Sequence, residues 1–222
     1  VQTGIRNMPP FKRQRRQETT ERGEGGRQSL RGALRTPHVL VGVLDMLFCV
    51  GGEVSIGSFM INYLQLPEIG NMSGEVAASH VAFYWGGAMV GRFIGSALLA
   101  KFSPRKLLAV FAVINALLVI TTMSTTGTVA VYSIVAIGLF NSIMFPTIFS
   151  LGIERMGPLT GEGAGLPIMA IAGGSLVVVQ GWAADRYGLQ HSFLITAACE
   201  LYVLFYALRG CRTGAASRPA GA

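Results

Sequence analysis

The sequence predicts an all-α membrane protein that crosses the bilayer six times. Of its 222 residues, 51% are hydrophobic and only 13% are charged, about half the charged share of an ordinary soluble domain. Six apolar runs follow one another along the chain, each close to the ~20 residues that a helix needs to cross the hydrocarbon core. Lysine and arginine are concentrated in alternate connections between these runs. That alternation is typical of multi-pass membrane proteins.

Residues 1–36 precede the first apolar run and form a basic arm with nine Lys or Arg and three Glu. The cluster at residues 12–16 has the composition of a nucleic-acid or nuclear-targeting patch. A basic arm beside a membrane helix also binds anionic lipid headgroups. We favour the lipid interpretation, because the rest of the chain belongs in a membrane, and we predict no nucleic-acid partner. The arm is rich in Arg, Gly and Gln, which predicts disorder.

A six-helix transmembrane domain is predicted over residues 37–210, followed by a short cytosolic tail at residues 211–222. The six segments are residues 39–64, 80–100, 107–124, 129–152, 166–184 and 192–208. The first and fourth segments each carry a polar residue near the centre, and the second and fifth each carry a Gly-Gly pair. Such internal symmetry is typical of transporters built from repeats. It predicts two three-helix repeats, at residues 39–124 and 129–208.

Orientation follows from the distribution of positive charge. Sixteen of the 18 Lys and Arg residues fall in the predicted inside segments, residues 1–38, 101–106, 153–165 and 209–222. The outside loops, at residues 65–79, 125–128 and 185–191, contain only Arg186. Because cytosolic loops are enriched in Lys and Arg, both termini are predicted to lie in the cytosol.

Glu53, midway along the first segment, is the leading candidate for chemistry. An ionisable group at the bilayer centre costs about 2.5–3.5 kcal/mol on insertion scales, so it needs water or a partner. On a helical wheel Glu53 shares a cavity-facing side with Cys49, Gly57 and Met60, whereas Ser55 and Asn62 point toward a neighbouring helix. Two roles remain open. Glu53 either binds a hydroxyl-rich ligand or a proton, or it forms a structural bond to another helix in its protonated form.

The centre of the fourth segment combines Asn141 with Pro146. Proline lacks an amide hydrogen, so the carbonyl of Ser142 loses its helical partner and the helix is expected to kink. The amide of Asn141 offers donors and an acceptor, which suits an uncharged, hydroxyl-rich ligand. The alternative is a hydrogen bond between helices.

The second segment carries a glycine stripe, an aromatic pair and a charge. Gly87, Gly91 and Gly95 recur every four residues and predict close approach of another helix. Tyr84 and Trp85 either stack on a ligand ring or belong to the interfacial aromatic belt. Arg92 lies about 13 Å along the helix axis from Lys101, so a protein partner is expected for it.

Three further features complete the sequence-based predictions. Gln180 and Trp182, at the end of the fifth segment, are candidate cavity residues. Glu200 in the sixth segment either pairs with Arg92 or Asn115 or marks relaxed constraint on the sequence. The three cysteines show no CxxC or Cys/His spacing, so no disulfide framework or metal site is predicted. No metalloprotease or nucleophile-elbow motif is present. The chain is therefore predicted to be neither an enzyme nor a cofactor-binding protein.

Several long motifs resemble the bacterial glucose/galactose transporters of the fucose:galactose:proton symporter family, within the major facilitator superfamily. They are GEVSIGSF at residues 52–59, VAFYWGGAMVGRFIGSALL at 81–99, GLFNSIMFPTIFSLGIE at 138–154, MAIAGGS at 169–175 and QGWAAD at 180–185. The resemblance covers roughly residues 37 to 210. It implies that the chain is the C-terminal half of a twelve-helix carrier.

By this resemblance, the first, second, fourth and fifth segments face a central cavity, and the third and sixth are peripheral. It implies that Glu53, Asn141, Tyr84 and Gln180 contact the sugar, while Gly87, Gly91, Arg92, Gly95 and Pro146 serve packing or gating. The implied function is import of glucose or galactose with a proton across the bacterial inner membrane. The implied partners are the hexose, the proton, the bilayer, and a separate N-terminal half or a second copy. The alternative is a truncated, non-transporting membrane fragment or assembly partner.

Overall fold

The computed structural model describes residues 37–153 and 170–210, and the secondary structure in these ranges is helical throughout. The elements are α1 (Pro37–Gln65), α2 (Gly74–Leu99), α3 (Pro104–Ser124), α4 (Gly127–Asn141), α5 (Met144–Ile153), a 3-10 helix (Ala170–Ser175), α6 (Leu176–Tyr187) and α7 (Leu189–Leu208). Because α4 continues into α5, and the 3-10 helix into α6, these elements make six successive helical segments. The predicted basic arm, the C-terminal tail and the start of the fifth segment lie outside the described residues.

Four helical stretches in the described ranges are long and apolar enough to cross a membrane. They are Leu40–Gln65, Pro104–Ser124, Gly127–Gly152 and Leu189–Leu208. α2 has 26 residues and therefore measures about 39 Å, enough to cross the hydrocarbon core. It is less apolar than the other four because Glu75, His80 and Arg92 lie in it.

The predicted start of the second segment at residue 80 is wrong by six residues. α2 begins at Gly74, where the side chain of Ser73 accepts a hydrogen bond from the amide of Val76 and Glu75 occupies the first turn. A serine cap and an acidic first turn both stabilise a helix N-terminus. Residues 74–79 therefore belong to the helix and not to the predicted loop.

The fourth and fifth segments are both interrupted near their centres. α4 ends at Asn141 and α5 begins at Met144, so the break falls at Ser142 and Ile143, directly before the turn that contains Pro146. This is where the missing amide hydrogen of a proline weakens a helix. In the fifth segment a 3-10 helix that contains Gly173 and Gly174 changes to the α-helix α6 at Leu176.

Packing pairs the helices in a reciprocal pattern. α1 packs against the 3-10 helix of the fifth segment, α2 packs against α4, and α3 packs against α7. First therefore meets fifth, second meets fourth, and third meets sixth. Two three-helix repeats related by a two-fold axis would pack in this way, although the repeat boundaries remain a prediction.

Glycines permit the closest of these contacts. A Cβ on Gly91 would collide with the carbonyl oxygen of Leu139, and one on Gly95 would collide with Ile143. Gly87 is looser, since its added Cβ would lie 3.7 Å from the amide nitrogen of Leu139. In the other pair, a Cβ on Gly173 would collide with the carbonyl oxygen of Leu47. Both crossings thus depend on small residues that let backbones approach.

Candidate functional site

A layer of polar side chains lies in the middle of the helix bundle, between two apolar clusters. On α3, Asn115 separates Leu108 of one cluster from Val119 of the other. The same order recurs at the other helices, with Asn141 between Ile137 and Ile143, and Glu200 between Ala197 and Val203. We call Asn115, Asn141 and Glu200 the polar layer. They are 0%, 2% and 1% exposed.

The polar layer is connected but not fully hydrogen-bonded. Nδ2 of Asn115 donates to Oδ1 of Asn141 at 3.4 Å and lies 3.5 Å from the sulfur of Met144. Glu200 lies at the same level on α7, which packs against α3. Among the described residues, Oδ1 of Asn115, Nδ2 of Asn141 and Oε2 of Glu200 have no hydrogen-bond partner. Buried polar atoms are normally paired, so the layer has capacity for a ligand, a proton or water.

Glu53 lies at the edge of this layer, on α1. Its side chain is half-buried and interacts electrostatically with Arg92, which is exposed on α2. No ion pair within 4 Å joins the two side chains, so a protein partner for Arg92 remains a prediction.

An open polar face continues from Glu53 along α1. Ser58 and Asn62 are exposed, and the ring of Trp85 on α2 lies 3.5 Å from the Cβ position of Gly57. We call Glu53, Ser58, Asn62 and Trp85 the open face. A polar stripe of this kind suits a water-filled cavity or a protein partner better than lipid.

Two details of the predicted helical wheel are wrong. Cys49 and Met60, predicted to share a cavity with Glu53, are 2% and 0% exposed. Ser55 is buried as predicted, but Asn62 is exposed. A wheel gives directions around one helix, whereas the neighbouring helices cross α1 at different heights and cover different parts of each side.

Of the aromatic pair, the structure buries Tyr84 and exposes Trp85. Tyr84 is 0% exposed, Trp85 is 48% exposed, and the two rings meet edge to face at 5.3 Å. The Tyr84 hydroxyl lies near Asn141 but makes no hydrogen bond of ordinary geometry among the described residues. The sequence contained the signal for this arrangement. Tyr84 lies seven and eleven residues before Gly91 and Gly95, and hence on the same packed side of α2.

Gln180 faces α7 and is buried. It is 0% exposed, and its Oε1 accepts a hydrogen bond of 3.0 Å from the hydroxyl of Thr196. Its Nε2 has no partner among the described residues. Trp182, two residues on, is 60% exposed.

The four predicted sugar contacts are therefore not on one surface in this structure. Asn141 and Tyr84 are neighbours beneath the surface, Gln180 lies against α7, and Glu53 alone reaches the open face. Two residues of the polar layer, Asn115 and Glu200, were placed outside the site on the ground that their helices are peripheral. They belong to the layer because α3 and α7 pack into the bundle and bring these side chains inward.

Comparison with known proteins identifies the family. No protein-family model matches the chain. The glucose/galactose transporter of Brucella abortus is 43% identical over 177 residues, which cover 79% of this chain and 43% of that protein. The L-fucose-proton symporter of Escherichia coli is 33% identical over 181 residues, covering 81% of this chain and 41% of that protein. A crystal structure of that organism's fucose:proton symporter has a TM-score of 0.78 and 32% identity, over 82% of this chain and 45% of that one. The chain belongs to the major facilitator superfamily.

Within that superfamily it is a member of the family of the glucose/galactose transporters and the fucose:proton symporter. A putative glucose/galactose transporter of Helicobacter pylori is also similar, at 37% identity over 179 residues, 78% of this chain and 44% of that protein. The predicted all-α membrane fold is confirmed, and the chain is a multi-pass membrane protein. These relatives are transporters by name, in agreement with the prediction that the chain is not an enzyme. The chain spans less than half the length of each of them.

Proposed function

We propose that this chain forms one six-helix half, the C-terminal one, of a transporter that moves glucose or galactose together with a proton. The observation that carries the proposal is the 43% identity over 177 residues to a protein named a glucose/galactose transporter. Proton coupling is supported by the 33% identity to the L-fucose-proton symporter. We propose the inner membrane of a bacterium as the location, with both termini in the cytosol, because 16 of the 18 Lys and Arg residues lie in the predicted inside segments.

The open face is the proposed sugar-binding wall of this half. Glu53 would accept hydrogen bonds from sugar hydroxyls. Trp85 would cover an apolar face of the sugar ring with its indole. Polar side chains exposed in the middle of a membrane are costly unless they meet water, a ligand or protein. Ser58 therefore also supports a cavity on this side of α1, whereas Asn62 lies only three residues before the end of the helix at Gln65, close to the membrane surface.

Asn141, Tyr84 and Gln180 are proposed to support binding from beneath the open face. Each retains an unpaired polar atom among the described residues, so each could bind a hydroxyl group if the helices separate during transport. Alternating access in such carriers is a rocking of one half against the other around the site. The break at Ser142 and the Gly91 and Gly95 contacts lie where α2 and α4 would shift against each other.

The proposal is tested by joining residues 37–210 to the N-terminal six helices of the Brucella abortus relative. Uptake of labelled glucose and galactose would be measured in cells that lack their own hexose carriers. We expect saturable uptake by the joined protein and none by residues 37–210 alone, because one half supplies only one wall of a central site. If the joined protein reaches the membrane in folded form but takes up neither sugar, hexose transport is wrong.

A further inference from the structure

We propose that Glu200 is a proton-binding carboxyl group inside this half, linked through Asn115 to Asn141. It is separate from the open face and from the Glu53–Arg92 pair. Glu200 lies on α7, is 1% exposed, and is held between the two apolar clusters of the bundle. The proposed sugar-binding wall makes no use of it, so its presence in the middle of a membrane helix requires another explanation.

The strongest support is a pair of unpaired oxygens in the polar layer. Oε2 of Glu200 and Oδ1 of Asn115 are both buried and lack a partner among the described residues. The two side chains lie at the same level of the packed helices α3 and α7, between the two apolar clusters, and no hydrogen bond joins them in this conformation. A single proton on the Glu200 carboxyl group would serve both atoms, because the resulting O–H can donate to the amide oxygen of Asn115. A carboxylate cannot do this, since it only accepts.

The ionised form has a different partner in the same place. Nδ2 of Asn115 carries two hydrogens, and one of them is used in the 3.4 Å bond to Asn141. The second faces the sulfur of Met144 at 3.5 Å, which is a weak acceptor, so an ionised Glu200 would replace the sulfur as its partner. Protonation therefore exchanges a bond to Nδ2 for a bond to Oδ1, which reorients the Asn115 amide. Because Asn115 is also hydrogen-bonded to Asn141, a reorientation of its amide would alter this bond to α4, next to the helix break.

The charges around Glu200 favour exchange of a proton over a fixed ion pair. Its titratable neighbours on other helices are Asp45, Cys49 and Glu53 on α1 and Tyr84 on α2, and Cys199 precedes it on α7. On α3 and α6, which also pack against α7, the described residues show no titratable partner for it. None of these neighbours is a cation. Arg92 interacts instead with Glu53, so among the described residues the Asn115 amide is the group placed to stabilise a negative charge on Glu200.

Only one bond forms in the proposed step. A proton from the aqueous phase adds to a carboxylate oxygen of Glu200 to give an O–H group, and the reverse step returns it to water. Half-buried Glu53 interacts with Glu200 and connects this site electrostatically to the open face. A sugar or proton held at Glu53 would thus change the proton occupancy of Glu200. This last link alone rests on the proposed function.

Infrared difference spectroscopy tests the proton site without any sugar. The chain, reconstituted in lipid nanodiscs, would be compared between mildly acidic and mildly alkaline buffer, in H2O and in D2O. We expect a carboxyl C=O band that appears on acidification and shifts in D2O. Glu200→Gln should remove this band, and Asn115→Leu should shift it because the hydrogen-bond partner is lost. Glu68→Gln is the matched control, since Glu68 is exposed in a connection, and should leave the band unchanged.

If Glu200→Gln has the same difference spectrum as the parent chain, Glu200 does not exchange a proton and the proposal is overturned. Glu200→Asp provides a second variant should the Gln variant fold poorly, and it should keep a titrating band at a shifted frequency. Failure of hexose uptake in the joined protein would leave this result standing, because the spectra involve no sugar. The two proposals can therefore fail separately.

Discussion

At the scale of single residues, two factors decide where a polar side chain lies in the bilayer. They are the free-energy cost of exposing it to lipid and the protein groups that can bond to it. The free-energy cost of placing Glu53 in the bilayer is reduced by the positive charge of Arg92 and by its position on the open face. Asn115 and Asn141 share a hydrogen bond of 3.4 Å. Gln180 is held by Thr196 at 3.0 Å. Each of these residues was conspicuous in the sequence as a polar group inside an apolar run. The identity of its partner was not.

Glu53→Gln, made in the joined protein described above, separates a functional carboxyl group from a structural one. The substitution keeps size and hydrogen bonding but removes charge. A hydrogen bond to a charged group contributes about 1.5–3 kcal/mol, so a sugar-binding role predicts roughly ten- to a hundred-fold weaker affinity. Loss of accumulation with exchange retained would indicate a proton role instead. The measurements are equilibrium binding, exchange and uptake of labelled sugar, with Glu68→Gln as the exposed control. Near-normal values for all three would leave Glu53 with only a structural role.

At the scale of the elements, small residues set how closely the helices pack. The second segment meets the fourth through Gly91 and Gly95, whose missing side chains make room for Leu139 and Ile143. A Cβ on Gly138 of α4 would in turn collide with the carbonyl oxygen of Tyr84. The crossing therefore uses glycines from both helices. Gly86, one position outside the stripe, has nothing within 4 Å of its Cβ position.

Gly91→Ala is expected to destabilise the bundle, and Gly86→Ala is its matched control. The added methyl group at Gly91 would force α2 away from α4, at a cost of about 1–3 kcal/mol for overpacking. At Gly86 the methyl group enters open space, so its effect should be neutral or stabilising, since Ala favours a helix by up to about 1 kcal/mol over Gly. The midpoint of unfolding in mixed micelles, followed by circular dichroism, measures both. Equal midpoints for the two variants would show that this crossing tolerates a wider separation.

At the scale of the whole molecule, the distribution of positive charge predicts the orientation of the chain in the membrane, and helix packing sets the arrangement of the six segments. The reciprocal pairing of first with fifth, second with fourth and third with sixth brings all six segments around one polar layer. Among the described residues, no lysine or arginine is hydrogen-bonded to that layer, and Arg92 interacts with Glu53 at its edge. They lie at the helix ends and outside the described residues, where they act on the direction of insertion.

Reporter fusions at three connections test the predicted orientation. Fusions after Gly70 and after Gly188 should report the outside of the membrane, and one after Phe102 should report the cytosol. The reason is that 16 Lys and Arg residues lie in the predicted inside segments against one in the outside loops. Alkaline phosphatase and green fluorescent protein give opposite signals on the two sides and check each other. A cytosolic signal after Gly70 would contradict the six-span topology.

The sequence alone determined the helical class and four of the six segment starts to within three residues. It also determined the weak point before Pro146 and the residues too polar for lipid. These are local properties, because hydropathy, missing amide hydrogens and insertion costs are set by a residue and its near neighbours in the chain. Only the tertiary structure decided that Gln180 meets Thr196 and that Asn115 and Glu200 lie in one layer with Asn141. The buried side of a helix depends on which neighbouring helices cross it and at which position along its axis. Those neighbours are encoded in distant segments of the chain.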